Sequence, residues 1–231
     1  MIGFPQQYLG SGSLDIYIAS RTLSTVTITA DDYSENIITE PDLVAHVSLP
    51  KRLLMSIGKE RKGISLKSDS DIAVYGLNQI RRTTDAFLAL PTDILGTRYL
   101  AVGSERSAEL GVQYLNILSI IAVKDNTTVK ITPKTILIID QVGSTRTHHP
   151  SEQPLVITLN SLESFTVRSV DDITGSLIES TKAVSVISGH ECAYVPDPVR
   201  YCDHLIEQVN FNPRHAKVHS LIHCLSSILQ T

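Results

Sequence analysis

The sequence predicts an all-β protein of two tandem β-sandwich repeats of roughly 100 residues each, with an atypical C-terminal tail of helical period. Three observations carry this. Short apolar or alternating runs recur between clusters of Gly, Pro, Asn, Asp and Ser. The apolar residues are mostly Ile, Val and Leu beside abundant Thr and Ser, with 4 Phe and no Trp, a mixture suited to half-buried pleated surfaces. The chain also lines up with itself, which sets the number of repeats.

In chain order, strands are predicted at Leu14–Ile18, Thr25–Thr29, Leu43–Leu49, Gly63–Lys67, Asp71–Leu77, Phe87–Leu90 and Tyr99–Val102. They continue at Val112–Val123, Thr128–Thr132, Ile136–Ile139, Leu155–Leu159, Phe165–Arg168 and Ala183–Ile187. Only one stretch has a helical period: Val218, Leu221, Ile222, Leu225, Ile228 and Leu229 fall on one face. Tyr17–Thr29 lines up with Ile120–Thr132, with Ala19/Ala122, Thr25/Thr128, Val26/Val129, Ile28/Ile131 and Thr29/Thr132 identical. Gly63–Asn78 then lines up with Gly175–His190, matching Ser68 to Ser180 and Val74 to Val186 and setting Ile72 against Val184. The second copy carries extra residues, placed at Gly143 to Pro154 as a longer loop. The expected divisions are residues 1–111 for the first repeat, 112–208 for the second and 209–231 for the tail.

Composition narrows function by exclusion. At 42% hydrophobic and 19% charged residues, the 231-residue chain is too apolar for disorder and too lightly charged for a coiled coil. A net charge of −4 supplies no basic face for nucleic acid. The most apolar window, Tyr114–Val123, is too short to span a bilayer, and Met1–Leu9 does not read as a signal peptide. The sequon Asn126-Thr127-Thr128 makes Asn126 a glycan acceptor if the chain is secreted.

Most catalytic signatures fail on inspection. Gly58 to Gly63 has phosphate-loop glycine spacing, but Ile64-Ser65 stands where Lys-Ser/Thr is needed. Ser188 precedes Gly189-His190 without a nucleophile elbow, and Asp69/Asp71 lack the further ligands of a calcium loop. His148-His149 reads as exposed in the inserted loop. One stretch is chemically dense: Gly189-His190-Glu191-Cys192, then Cys202-Asp203-His204-Leu205-Ile206-Glu207-Gln208. His190, Cys192, Cys202 and His204 are the donor types of a zinc site. The same residues also suit a loop closed by a Cys192–Cys202 disulfide, stiffened by Pro196 and Pro198 and anchored by His190, His204, Glu207 and Gln208. One-residue gaps between paired ligands strain a tetrahedral chelate, so spacing favours the disulfide over zinc. Cys224, in the tail, has no evident partner.

Ser188-Gly189-His190-Glu191-Cys192 and Cys202-Asp203-His204-Leu205-Ile206-Glu207-Gln208 resemble the S-G-H-x-C … C-x-H-h-h-E-Q signature of the IgGFc-binding protein N-terminal domain family. Ile72–Asn78 resembles that family's strand ending in Asn. Leu90-Pro91 with Leu95-Gly96-Thr97-Arg98-Tyr99 resembles its L-P … L-G-T-x-Y segment. The resemblance runs from about Phe4 to Gln208 and implies a secreted, non-catalytic adhesion or binding module of a larger mucus- or matrix-type protein, with no cofactor. The partners it implies are extracellular proteins or mucin-type glycoconjugates. The chain departs from the family after Gln208, where Val209–Pro213 leads into the helical-period tail. The expectation is that the chain ends are not natural domain ends and that the second sandwich, short of a last strand, exposes an associating edge. Two other readings compete. A metal-dependent hydrolase would use His190, Glu191, His204 and Glu207. A carbohydrate-binding sandwich would need exposed aromatics, for which Tyr75, Tyr99 and Tyr194 are the candidates.

Overall fold

The computed structural model describes residues 1–7, 12–80, 83–105, 107–109 (backbone only), 112–195 and 201–210. The expected helix over Val218–Leu229, Cys224, and Pro196 and Pro198 lie outside the described residues. Strands dominate, as predicted, and no helix among the described residues is long and apolar enough to cross a membrane.

In the first half, a four-stranded sheet runs Thr84–Leu88, Ile72–Gln79, Ser13–Ser20, Val44–Leu49. A three-stranded sheet runs Tyr33–Thr39, Ser24–Ala30, Ser65–Ser68. Alternation sends Leu14, Ile16, Ile18 and Val74 of the first and Val26, Ile28 and Ala30 of the second into one core. In the second half, Asp203–Gln208, Val184–Ala193, Asn116–Ala122 and Ser164–Ser169 lie in that order. The sheet facing it carries Leu155–Leu159, Thr127–Thr132, Leu177–Ser180 and Arg98–Leu100. Tyr99, Leu118, Ile120, Val129, Val167 and Val186 share its core.

The two halves coincide in pairing order and in register. Ile18 lies opposite Val74 and Ala45, as Ile120 lies opposite Val186 and Phe165. Val26 lies opposite Ile37 and Ser68, as Val129 lies opposite Ile157 and Ser180. The register equates Ile18 with Ile120, so the Ala19/Ala122 identity falls one residue out of phase. A one-residue-longer connection before Thr127 restores the phase at Val26/Val129.

Three details differ from expectation. The inserted stretch is not a loop: Leu137–Val142 and Thr145–His149 form a hairpin that joins the large sheet through Ile138 and Arg168, turning at Gly143 with φ +60°. Arg98–Leu100, placed with residues 1–111, pairs with Leu177–Ser180 and buries Tyr99 in the second core. Asp203–Gln208, not among the predicted strands, is a strand whose outer edge meets Thr84–Leu88. There the Asp85 carboxylate accepts the Ile206 N–H at 2.6 Å and the Asp203 carboxylate accepts the Thr84 N–H at 3.0 Å. The two strands cover each other's edges here, while the expected missing last strand would follow Gln208 and lies outside the described residues.

The halves also share a layer. Asn116–Ala122 sends Leu118 and Ile120 into the second core while Ile121, with Ile187 and Ile206, packs into the first. A strand buried on both faces reads as a near-continuous apolar run, and Asn116–Ala122 does so apart from Asn116 and Ser119.

Candidate functional site

The dense motif sits where the layers meet. Val184–Ala193 carries Ser188 to Cys192 out from the centre of the large sheet, and Asp203–Gln208 returns beside it. The ladder slips between His190 and Ala193, which brings the two cysteines together. Cys192 and Cys202 form a disulfide, with Cα atoms 5.1 Å apart. The zinc alternative is corrected on this point, because both thiolates it needs are consumed in the bond.

Both histidines are fully buried. Nδ1 of His190 accepts the Cys192 N–H at 3.1 Å, which leaves the ring proton on Nε2. That Nε2 finds no partner among the described residues. His204 Nδ1 donates to the His190 carbonyl at 3.0 Å, leaving Nε2 to accept from the Asn78 amide 3.4 Å away. Burial lowers the pKa of each ring to about 4, so both are neutral. Asn78 also donates to the Pro5 carbonyl at 2.9 Å and accepts from Gln7 at 3.0 Å. Asn78, next to the end of the first-half strand, is therefore a fastener between the N-terminal segment and the motif.

Glu191 forms a buried ion pair with Arg168, its other oxygen accepting the Leu115 N–H at 3.0 Å. Burial pushes the Glu191 carboxyl up and the Arg168 guanidinium down, and their mutual attraction opposes both shifts. Gln208 accepts the Leu90 N–H at 2.8 Å and donates to the Met1 carbonyl at 3.1 Å and Ser185 Oγ at 2.7 Å, tying the motif's end to both halves. Glu207 stands apart from the disulfide, at the sheet seam. Burial, then the Asp85 carboxylate, raise its pKa to about 7. Asp85, also mainly through burial, reaches about 6.

The four residues of the hydrolase reading are therefore divided among separate tasks. The histidines spend their Nδ1 atoms on backbone, Glu191 is bound to an arginine, and Glu207 faces another carboxylate. Among the described residues no group of three or more His, Cys, Asp or Glu is disposed to hold a metal ion. The remaining predicted residues scatter. Ser188 accepts the Val102 N–H at 3.1 Å, and Asp69 accepts the Thr25 N–H at 3.1 Å. Gly58–Glu60 is a strand beside Ser164–Ser169, and His149 contacts the Gln153 carbonyl at 2.9 Å. Tyr99 is no stacking platform: it is buried, its hydroxyl accepting the Gly96 N–H at 2.6 Å and donating to the Val184 carbonyl at 2.8 Å. Leu95–Tyr99 is thus a self-closed corner docked on the motif strand. Asn126 is exposed in a left-handed turn, φ +53°.

Sequence reasoning missed Arg168, Asp85 and Gln7, and noted Asn78 only as the Asn closing a family-like strand. A lone arginine at the end of the predicted strand Phe165–Arg168 is the one available signal, since a buried charge needs a partner.

Residues 85–210 match the family model described as IgGFc binding protein. The IgGFc-binding protein of Homo sapiens is 25% identical over 182 residues, covering 78% of this chain and 3% of that protein. The chain thus spans a small fraction of the curated relative's length. No solved structure matches it.

Proposed function

The chain belongs to the IgGFc-binding protein family, and from that premise we propose that it is a non-catalytic extracellular binding module of a larger mucus- or matrix-type protein. Its partners are extracellular proteins or mucin-type glycoconjugates. The observation that carries the reading is the state of the motif at the centre of the family match. Its cysteines form a structural disulfide and its ionisable groups serve the fold. A disulfide fits an oxidising compartment, and Asn126 is accessible for a glycan there. Immobilised antibody Fc and mucin glycopeptides, each titrated with the full chain, test the proposal. Saturable binding insensitive to chelator is expected. A chelator-sensitive turnover abolished by Glu207→Gln would replace it with the hydrolase reading.

One observation favours a glycan among those partners. On the outer face of the four-stranded sheet, Leu88, Tyr75, Tyr17 and His46 lie side by side across all four strands. The Tyr17 and His46 rings stack with centroids 4.8 Å apart, and Tyr75 is 49% exposed. Such a row offers flat faces to sugar rings. A glycan array read with the parent chain and with Tyr75→Ala decides it, loss of signal in the variant being the supporting result.

A further inference from the structure

The row Leu88, Tyr75, Tyr17 and His46 has a direction fixed by alternation. Ile16 and Ile18 on either side of Tyr17, and Val74 beside Tyr75, enter the first core, so the row points away from it. Leu88, Tyr75 and His46 are exposed, and the next row, Ala73, Ala19 and Val44, continues the flat apolar surface.

Charge on this face runs one way. The four strands of the sheet, Thr84–Leu88, Ile72–Gln79, Ser13–Ser20 and Val44–Leu49, contain no lysine and no arginine. Arg21, Lys51, Arg81 and Arg82, the nearest cations in sequence, each stand at least four residues along the chain from the row residue of their strand. Asp85 is turned to the seam, where it accepts the Ile206 N–H. That leaves Asp15 and His46.

The Asp15 carboxylate, almost wholly buried, accepts the His46 Nε2–H at 2.8 Å and the Ser48 hydroxyl at 2.6 Å. Burial raises its pKa, but hydrogen bonds from Ser13, Ser48 and His46 outweigh that and hold it below the ordinary carboxylate value. An ionised carboxylate only accepts, so a neutral His46 carries its proton on Nε2 and keeps Nδ1 as an acceptor. Tyr17, stacked on the imidazole, holds the ring in that orientation. Whichever way the imidazole is protonated, Asp15 and His46 together are negative or neutral, never positive. An anionic ligand meets a carboxylate here and finds no cation to balance it, a like-charge arrangement that selects against it.

We propose that this face binds an uncharged hexose, its C–H face on Tyr75 and a hydroxyl donating to His46, and that it rejects uronic, sialic and sulfated sugars. The inference rests on the glycan reading above and narrows it to the uncharged residues of such chains.

The full chain, labelled with ¹⁵N at histidine and ¹³C at the tyrosine rings, is titrated with methyl galactoside and methyl glucoside. The matched methyl glycosides of galacturonate and glucuronate differ only by the carboxylate. The expected result is a saturable shift of the Tyr75 ring and of His46 Nδ1 with at least one neutral glycoside, its uronate binding about tenfold or more weakly. Tyr75→Ala, at an exposed position, is expected to abolish saturation followed at His46. His46→Gln keeps a donor toward Asp15 but loses the Nδ1 acceptor, and is expected to weaken binding about threefold or more, followed at Tyr75. Uronates that bind as tightly at the same two residues would overturn the charge selection and leave the glycan reading standing. No shift of either residue with any of the four sugars would overturn both. Sedimentation of the parent and Tyr75→Ala chains adds a third arm: a dimer lost in the variant would assign the face to a second copy of the chain and overturn the proposal.

Discussion

His204 donates its Nδ1–H to the carbonyl oxygen of His190, 3.0 Å away, across the two strands that the disulfide joins. The bond fixes one tautomer of His204 and leaves its Nε2 as acceptor for Asn78. Both rings are depressed to about 4 by burial, against an ordinary value near 6.5. A depressed histidine contributes stability that is complete above the unfolded value and is lost as pH falls toward the folded one. Unfolding midpoints are therefore expected to fall between pH 6.5 and 4, and neither ring should titrate by NMR above pH 5. His204→Ala should cost about 3 kcal/mol, from the cavity and the stranded Asn78 amide. A ring titrating near 6.5 in the folded chain would sink this account.

Removing the covalent closure has a separate cost. Cys192 and Cys202 are 10 residues apart. The chain-entropy relation gives about 2.8 kcal/mol for a loop of this length. Cys192→Ala with Cys202→Ala should lower stability by that order in denaturant melts, with the same slope. Non-reducing peptide mapping should find the 192–202 linked peptide in the parent chain, and two free thiols there would refute it.

Glu191 and Arg168 show what could be read from the sequence and what could not. The strands at Leu14, Val26, Val74 and Val129 announce themselves because one face is buried and the side chains alternate. Tyr33–Thr39 does not, because Ser34, Glu35 and Asn36 are all exposed and erase the pattern. Asp203–Gln208 hides as a strand because its ionisable residues read as chemistry first. The cysteine pair was legible, since spacing alone argued for it. The Arg168 partnership was not: Arg168 and Glu191 stand on strands separated by Asn116–Ala122, and only the sheet order makes them neighbours.

That pair yields its own test. Glu191→Gln removes the carboxylate and leaves a guanidinium buried, which should cost about 3–5 kcal/mol. Pairing it with Arg168→Met should recover most of the loss, because a well-packed apolar replacement removes both charges. Equal destabilisation by the single and double variants in urea melts would show that the ion pair does not matter to the fold.

The seam carboxylates have the opposite pH sign from the histidines. Burial first, then each other's charge for Glu207, raises Glu207 to about 7, and burial raises Asp85 to about 6. Carboxyls with raised folded values favour the fold at low pH, and that contribution is lost as pH rises through 6 to 7. Glu207→Gln should flatten this part of the profile and stabilise the chain by about 1 kcal/mol at pH 8, a figure reduced for the residue's partial exposure. The check is a pair of thermal melts at pH 5 and pH 8 for parent and variant. A larger loss in the variant at pH 8 would be incompatible with the seam described.

We propose that the two halves are copies of one sandwich, because order and register coincide strand by strand. They are not equal in the layered molecule. Val74 lies in the first core, in a sheet whose other face carries the exposed Tyr75, whereas Val186 lies in the second core with Ile187 supporting the first behind it. An aspartate at either site buries an unpaired carboxylate and should cost about 3 kcal/mol or more. The consequences should differ. Val186→Asp strikes the layer both cores share, so amide exchange protection should be lost in Ser13–Ser20 and in Thr127–Thr132 together. Val74→Asp should strip protection from Ser13–Ser20 first and leave Thr127–Thr132 the slower to exchange, since that strand packs wholly within the second core. Exchange mapped by mass spectrometry on both variants decides it. Protection lost to the same extent in both strands of the Val74→Asp chain would mean that the halves fold as one unit.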